Sequence, residues 1–171
     1  MPTPVVSLIA PAARPKLWPD FYENVRKSKT LFEIIFVGPY KPKFRLPENF
    51  IFKQSGVKPI QCQEAASRLA RGEYLLSTGD DIRYSEGAVD KLYEAICKEN
   101  NDLAIASLFY YKRTKVEVLK DQRLVPDDPN SPGMPRGAMF KKSTWHALGG
   151  LDSNFVASHG ETDLTLRIFE K

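Results

Sequence analysis

Cysteine is scarce in this chain of 171 residues: only Cys62 and Cys97 occur. Two cysteines exclude a disulfide-rich secreted scaffold and a four-cysteine zinc site. They can pair at most once, and two free thiols in a reducing compartment is the simpler reading. No run of about 18 apolar residues exists, so no helix is expected to span a membrane. The N-terminal MPTPVVSLIAPAARP has prolines on both sides of its short apolar stretch and no basic leader, and does not read as a signal peptide. Internal repeats and low-complexity tracts are lacking. The basic residues form no stripe and no nucleic-acid motif occurs, so a nucleic-acid partner is not expected.

What is present is the balance of a folded domain. Hydrophobic residues make up 42% and charged residues 27% of the chain. A chain this long buries about 70% of its unfolded surface and needs no covalent staple. The net charge of +4 is unevenly spread. Residues 1–60 carry ten Lys/Arg against four Asp/Glu, residues 61–105 five against nine, and residues 106–171 ten against eight. An acidic centre between basic flanks suits a cation held beside phosphates, although solvated surface is the commoner meaning of such a pattern. The basic first third also leaves open contact with an anionic membrane surface.

Apolar runs alternate with helical stretches. Val5–Ala10, Glu33–Val37, Asn49–Lys53 and Glu73–Ser77 read as strands, the first ended by Pro11 and the second closed by Gly38-Pro39. Leu17–Lys27 carries Leu17, Phe21 and Val25 at intervals of four, with Pro19 tolerable only in a first turn. Pro59 opens a helix to Arg71 that Gly72 stops, and Ser85 is placed to cap a helix over Glu86–Lys98. Leu103–Tyr111 and Val116–Leu119 read as paired strands, Val125–Pro135 as a proline-rich loop, Ala138–Phe140 as a short strand, Ser143–Leu148 as a short helix and Glu161–Lys171 as a last helix. Strands alternating with helices imply a parallel α/β sheet, whose ligands bind beyond the C-terminal strand ends. That rule points to Pro11–Arg14, Gly38–Lys41 and Thr78–Asp81.

Thr78-Gly79-Asp80-Asp81 leaves a buried strand with two adjacent carboxylates. Such a pair repels itself, and a hard divalent cation relieves the repulsion. The same four residues are also ordinary turn chemistry. Three segments then occur in a telling order: Ala70-Arg71-Gly72-Glu73-Tyr74 leading to Asp80; Met139-Phe140-Lys141-Lys142-Ser143 through Gly149-Gly150-Leu151-Asp152; and Glu161-Thr162-Asp163-Leu164 with Arg167. Together they resemble the family 2 glycosyltransferases, with their "A-x-G-E-Y" entry to an Asp-x-Asp strand end, their "F-R-R…G-G-F-D" segment and their "E-D-x-D-L-x-x-R" motif.

The resemblance implies the GT-A fold: a Rossmann-like, mostly parallel central sheet flanked by helices, with a small additional antiparallel sheet. One domain over residues 1–171 is expected, nucleotide-binding to about residue 100 and acceptor-side from about 101. It implies inverting transfer of a sugar from a UDP- or GDP-sugar to a glycan, lipid or protein acceptor, assisted by Mn²⁺ or Mg²⁺. Donor contacts fall on Pro11, Ala12, Arg14, Gly38, Glu64, Arg68, Thr78, Gly79 and Asp80. The metal would lie on Asp80 and Asp81, with His159 a further candidate. Glu161 falls on the base position, with Asp163 beside it, although acids also favour a helix's first turn. Arg136, Gly149, Gly150 and Asp152 fall on the acceptor side. A cytoplasmic enzyme follows, with the cytoplasmic membrane face open to it.

The chain departs from the family pattern. The acid-rich turn after the second strand is Gly38-Pro39-Tyr40-Lys41 here, Thr78 replaces the first aspartate, and the "R-N-x-G" helix has Gln63, Glu64 and Ala66 instead. The chain stops just after Arg167, as a minimal form or a fragment would. A catalytically degenerate binding module for sugar or a protein partner is the alternative. A nucleotidyltransferase is disfavoured, because Ala10-Pro11-Ala12-Ala13-Arg14 lacks a glycine-rich phosphate loop.

Overall fold

A computed structural model of the chain describes residues 2–99, 101, 102, 105–107, 137–157 and 159–171. In chain order the elements are β1 (Val6–Pro11), a 3₁₀ turn (Pro15–Leu17), α1 (Trp18–Val25), β2 (Phe32–Gly38), β3 (Phe50–Gln54), α2 (Pro59–Leu69), β4 (Tyr74–Ser77), α3 (Ala88–Lys98), β5 (Ile105–Ser107), β6 (Ala138–Lys141), α4 (Lys142–Ala147) and α5 (Gly160–Phe169). Among the described residues the strands form one sheet in the order β3-β2-β1-β4-β6-β5. β1 pairs in parallel with β2 and β4, and β2 with β3; β6 runs antiparallel to both β4 and β5. The antiparallel element therefore sits inside the main sheet. The expected strand Val116–Leu119, the loop Val125–Pro135 and the candidate Arg136 lie outside the described residues.

Strand alternation sorts the core into two layers. Leu8, Ala10, Ile34, Phe36, Leu76 and Met139 face one side and pack on Trp18 and Phe21 of α1 and on Val89, Leu92 and Ile96 of α3. Ile9, Ile35, Val37, Leu75 and Phe140 face the other and meet Ile60, Cys62 and Ala66 of α2, Trp145 of α4, and Leu164 and Ile168 of α5. Both faces being covered, β1 and β2 read as nearly continuous apolar runs, broken only by Ser7 and Glu33, which are buried and bonded to each other. Trp18 is fully buried, its ring 5.4 Å from Phe36 in an edge-to-face contact. Cys62 is buried and Cys97 exposed, both as free thiols; burial pushes the Cys62 thiol pKa up.

One expected cap is corrected. α3 begins at Ala88, not Glu86, and Gly87 occupies its N-cap with φ of 73° and no side-chain cap. Ser85 contributes its carbonyl to the Ala88 N–H instead of its hydroxyl. The left-handed turn at Gly87 breaks the line that a Ser85 cap requires. Pro19 falls in the first turn of α1, where its missing N–H costs nothing.

Candidate functional site

The C-terminal ends of β1, β2 and β4 lie on one edge of the sheet, and Asp80 ties the exit of β4 to the loop after β1 and to α1. Its side chain is wholly buried. One carboxylate oxygen accepts the backbone N–H groups of Ala13 at 2.8 Å and Arg14 at 2.6 Å, and the indole N–H of Trp18 at 3.2 Å. The other accepts Arg14 Nε at 2.9 Å and Nη2 at 2.6 Å. The remaining nitrogen of that guanidinium reaches Asp81, Nη1 to Oδ2 at 2.6 Å. Burial works against the charge of Arg14, but the hydrogen bonds and charges of Asp80 and Asp81 outweigh it and raise its pKa. A buried carboxylate is tolerable only with such donors, and Asp80 has them.

The rest of this edge is close-packed. Thr78 is buried and its Oγ1 accepts the Tyr84 hydroxyl at 2.5 Å. Ala12 is buried, and its N–H donates to the Val37 carbonyl at 2.8 Å. A Cβ on Gly38 would overlap the Ala12 carbonyl oxygen, so only glycine lets the ends of β1 and β2 pass this closely. Pro11 closes β1, and Gly79 carries the chain from Thr78 to Asp80.

Beside this edge, α5 brings in Glu161. Gln63, on α2, donates from Nε2 to Ser77 Oγ at 2.5 Å, and Ser77 Oγ donates to Glu161 Oε1 at 3.3 Å. Gln63 and Ser77 are both buried. The serine has one proton; with the amide filling one of its acceptor positions, that proton is directed at the carboxylate. Asp163 does something else. Its Oδ2 accepts Arg167 Nε at 3.0 Å and Nη2 at 2.6 Å, and Arg167 donates onward to the carbonyls of Gly150, at 2.7 Å, and Leu148. Asp163 therefore holds the Gly149-Gly150 turn through Arg167.

Of Glu64 and Arg68, expected to touch the donor, Glu64 is bound into that same turn and Arg68 pairs with Glu64 from the surface. Glu64 Oε2 accepts Trp145 Nε1 and the Leu151 N–H, each at 3.0 Å, and Oε1 accepts Arg68 Nε at 3.0 Å. Gly150 has φ of 70°, and a Cβ there would strike the Glu64 carboxylate. Asp152 is exposed and closes a local turn onto the Asn154 N–H at 2.8 Å. His159 is exposed in a left-handed conformation (φ 68°) at the start of α5.

The arrangement does not fit a divalent ion on Asp80 and Asp81. Both oxygens of Asp80 are filled by protein donors, and Asp81 is turned onto Arg14. Among the described residues no three His, Cys, Asp or Glu side chains converge to hold a metal. Sequence reasoning missed Trp18 and Ser77 as site residues and saw Gln63 only as a departure. Polar groups at positions that read as buried were the available signal.

No family model and no curated protein matches the chain. In three dimensions it has the GT-A glycosyltransferase fold. Over 96% of its length it superposes on Staphylococcus aureus TarS 1–349, with a TM-score of 0.71 and 12% identity, covering 55% of that chain. The same protein in complex with UDP-GlcNAc matches at 0.68 and 13%, with 53% of that chain covered. The mannosyltransferase PcManGT of Pyrobaculum calidifontis, in complex with GDP-Man and Mn²⁺, matches at 0.69 and 17%, with 52% covered. The chain thus spans about half the length of these structures. No helix among the described residues is long and apolar enough to cross a membrane.

Proposed function

We propose that the chain is an inverting glycosyltransferase that moves a sugar from a nucleoside-diphosphate sugar to an acceptor hydroxyl. One observation carries this reading: α5 delivers the Glu161 carboxylate to the end of β4, against Ser77, beside the edge that Asp80 and Arg14 organise. In the reaction the acceptor oxygen attacks the anomeric carbon, the bond from that carbon to the diphosphate oxygen breaks, and the acceptor proton passes to Glu161. Gln63 and Ser77 fix the direction from which the carboxylate receives it. Residues 1 to about 100 form the donor side, with Pro11, Ala12, Gly38, Thr78 and Gly79 as its floor. From about 101 onward the chain forms the acceptor side, where Asp163 and Arg167 shape the turn at Gly149, Gly150 and Asp152. The nucleotide-sugars carried by the structural neighbours, UDP-GlcNAc and GDP-Man, support a UDP- or GDP-sugar donor. The Mn²⁺ of the mannosyltransferase complex supports metal use in that protein. Because Asp80 here is already saturated, no step of the proposed reaction runs through a metal.

A non-catalytic binding module is favoured by the acid positions held by Gly38 and Thr78. Thermal shift with UDP, GDP, UDP-GlcNAc and GDP-Man, followed by donor turnover, separates the two. The enzyme is expected to be stabilised by a nucleotide and to release UDP or GDP from its sugar. Glu161→Gln should keep that stabilisation and lose turnover. Nucleotide binding without turnover, indifferent to Glu161→Gln, would leave the binding module standing. No stabilisation by any of the four would remove the glycosyltransferase reading.

A further inference from the structure

We infer that Arg14 is the cation of the donor site: its guanidinium, and not a divalent ion, meets the diphosphate at the end of β4. This rests on the glycosyltransferase reading above and adds to it the identity of the charge that receives the leaving group. Asp80 accepts five hydrogen bonds on two oxygens, and a carboxylate has about four lone-pair sites. A metal could take Asp80 only by expelling backbone N–H groups of the β1 loop or the buried Trp18 indole. Of the acidic pair that leaves only Asp81, and among the described residues no set of three His, Cys, Asp or Glu side chains converges to give Mg²⁺ or Mn²⁺ the fuller shell it needs.

Arg14 has what the role requires. Three of its five N–H groups are committed to Asp80 and Asp81, and among the described residues the other two have no partner. Its side chain is 52% exposed, while that of Asp80 is fully covered. The two contacts differ in strength. Asp80 grips Nε and Nη2 from inside, whereas Asp81, 47% exposed, holds Nη1 at the surface. Exposed pairs of that kind are weak and exchange readily. A phosphate oxygen can therefore take Nη1 from Asp81 while Asp80 keeps the guanidinium in place, presenting a planar fork that matches phosphate geometry. In this arrangement Asp81 competes with the diphosphate for Arg14. Were it a metal ligand, it would instead be indispensable to diphosphate binding.

The sign of one substitution separates these cases. Titration calorimetry of UDP and of GDP into the full chain, with EDTA and then with Mn²⁺, is the test. Wild type is expected to bind equally in both. Asp81→Asn should tighten binding in EDTA by about threefold, the scale of an exposed ion pair. Arg14→Ala should weaken it by about tenfold or more, as one charge-assisted contact is lost. Should Arg14→Ala fail to fold, Arg14→Lys keeps the charge without the fork and should fall between, and Asp81→Asn on the surface still decides the sign. Binding to wild type that EDTA abolishes, or that Asp81→Asn abolishes, overturns the inference and leaves the glycosyltransferase reading standing. Absence of UDP and GDP binding in both conditions removes both.

Discussion

Glu33 and Asp80 are two buried carboxylates at opposite ends of the parallel part of the sheet, and each is held by an arginine. Glu33, near the start of β2, accepts Ser7 Oγ at 2.7 Å, the Arg71 N–H at 2.7 Å, Arg71 Nε at 2.9 Å and Arg71 Nη2 at 2.8 Å. Asp80, past the end of β4, has the matching set from Ala13, Arg14 and Trp18. Arg71 and Arg14 are about equally exposed, at 47% and 52%. What differs is the charge that each arginine meets next. Arg14 also holds the surface carboxylate Asp81, whereas among the described residues Arg71 pairs with no second acid. The first arrangement is closed and serves folding. The second leaves an exchangeable contact at the edge where parallel sheets bind ligands.

Removing either carboxylate tests this most severely. Asp80→Ala and Glu33→Ala should each cost about 3–5 kcal/mol in urea unfolding, since each strands a buried network. At temperatures where both remain folded, only Asp80→Ala should lose UDP or GDP binding. Trp18→Phe keeps an aromatic ring but deletes the indole N–H that reaches Asp80 and, at this fully buried position, leaves a small void where the larger ring stood. A loss of about 1–2 kcal/mol is expected by the same measurement, and an unchanged stability would show that the other four bonds suffice.

Asp90 gives the comparison a third member that manages without an arginine. On α3, it accepts Ser28 Oγ at 2.6 Å and Thr30 Oγ1 at 2.7 Å, with the N–H groups of Thr30 at 2.9 Å and Lys29 at 3.1 Å. Burial alone would push its pKa up, but the Ser28 and Thr30 hydrogen bonds outweigh that and lower it. A carboxyl whose folded pKa is lowered stabilises the protein above its unfolded pKa, and the benefit is lost as pH falls through the folded value. The stability difference between wild type and Asp90→Asn should therefore be largest at neutral pH, about 1–2 kcal/mol, and shrink on acidification below the ordinary aspartate range. A difference that grew toward low pH would contradict the lowered pKa. The smallest effect is expected at Arg68→Ala. Its pair with Glu64 has a side chain 72% exposed on the arginine side, and thermal unfolding should move by no more than about 0.5 kcal/mol.

The fold was legible because both sheet faces are covered. Val6–Pro11 and Phe32–Gly38 had to be largely apolar, with the buried pair Ser7 and Glu33 as the polar exceptions, and Pro59 and Gly72 bracketed α2 and its exit. The insertion of β6 between β4 and β5 was not legible, since strand order depends on contacts across more than 60 residues. The site was legible in outline only. Residue types placed Glu161, Asp80 and Arg14 near strand ends, but not which donors fill a carboxylate. Asp80 reads as a ligand when its neighbours are unknown and as a tied group once Arg14 and Trp18, 66 and 62 residues away, are in place. Glu64 misled for the same reason: its partners Trp145 and Leu151 belong to a segment more than 80 residues further on.

The contact between Gly38 and the Ala12 carbonyl limits which substitutions this edge can accept. Here a Gly38→Asp substitution would put its first side-chain carbon into Ala12. Any side chain at position 38 would therefore require the β1 loop that carries Arg14 to move, which couples this turn sterically to the guanidinium.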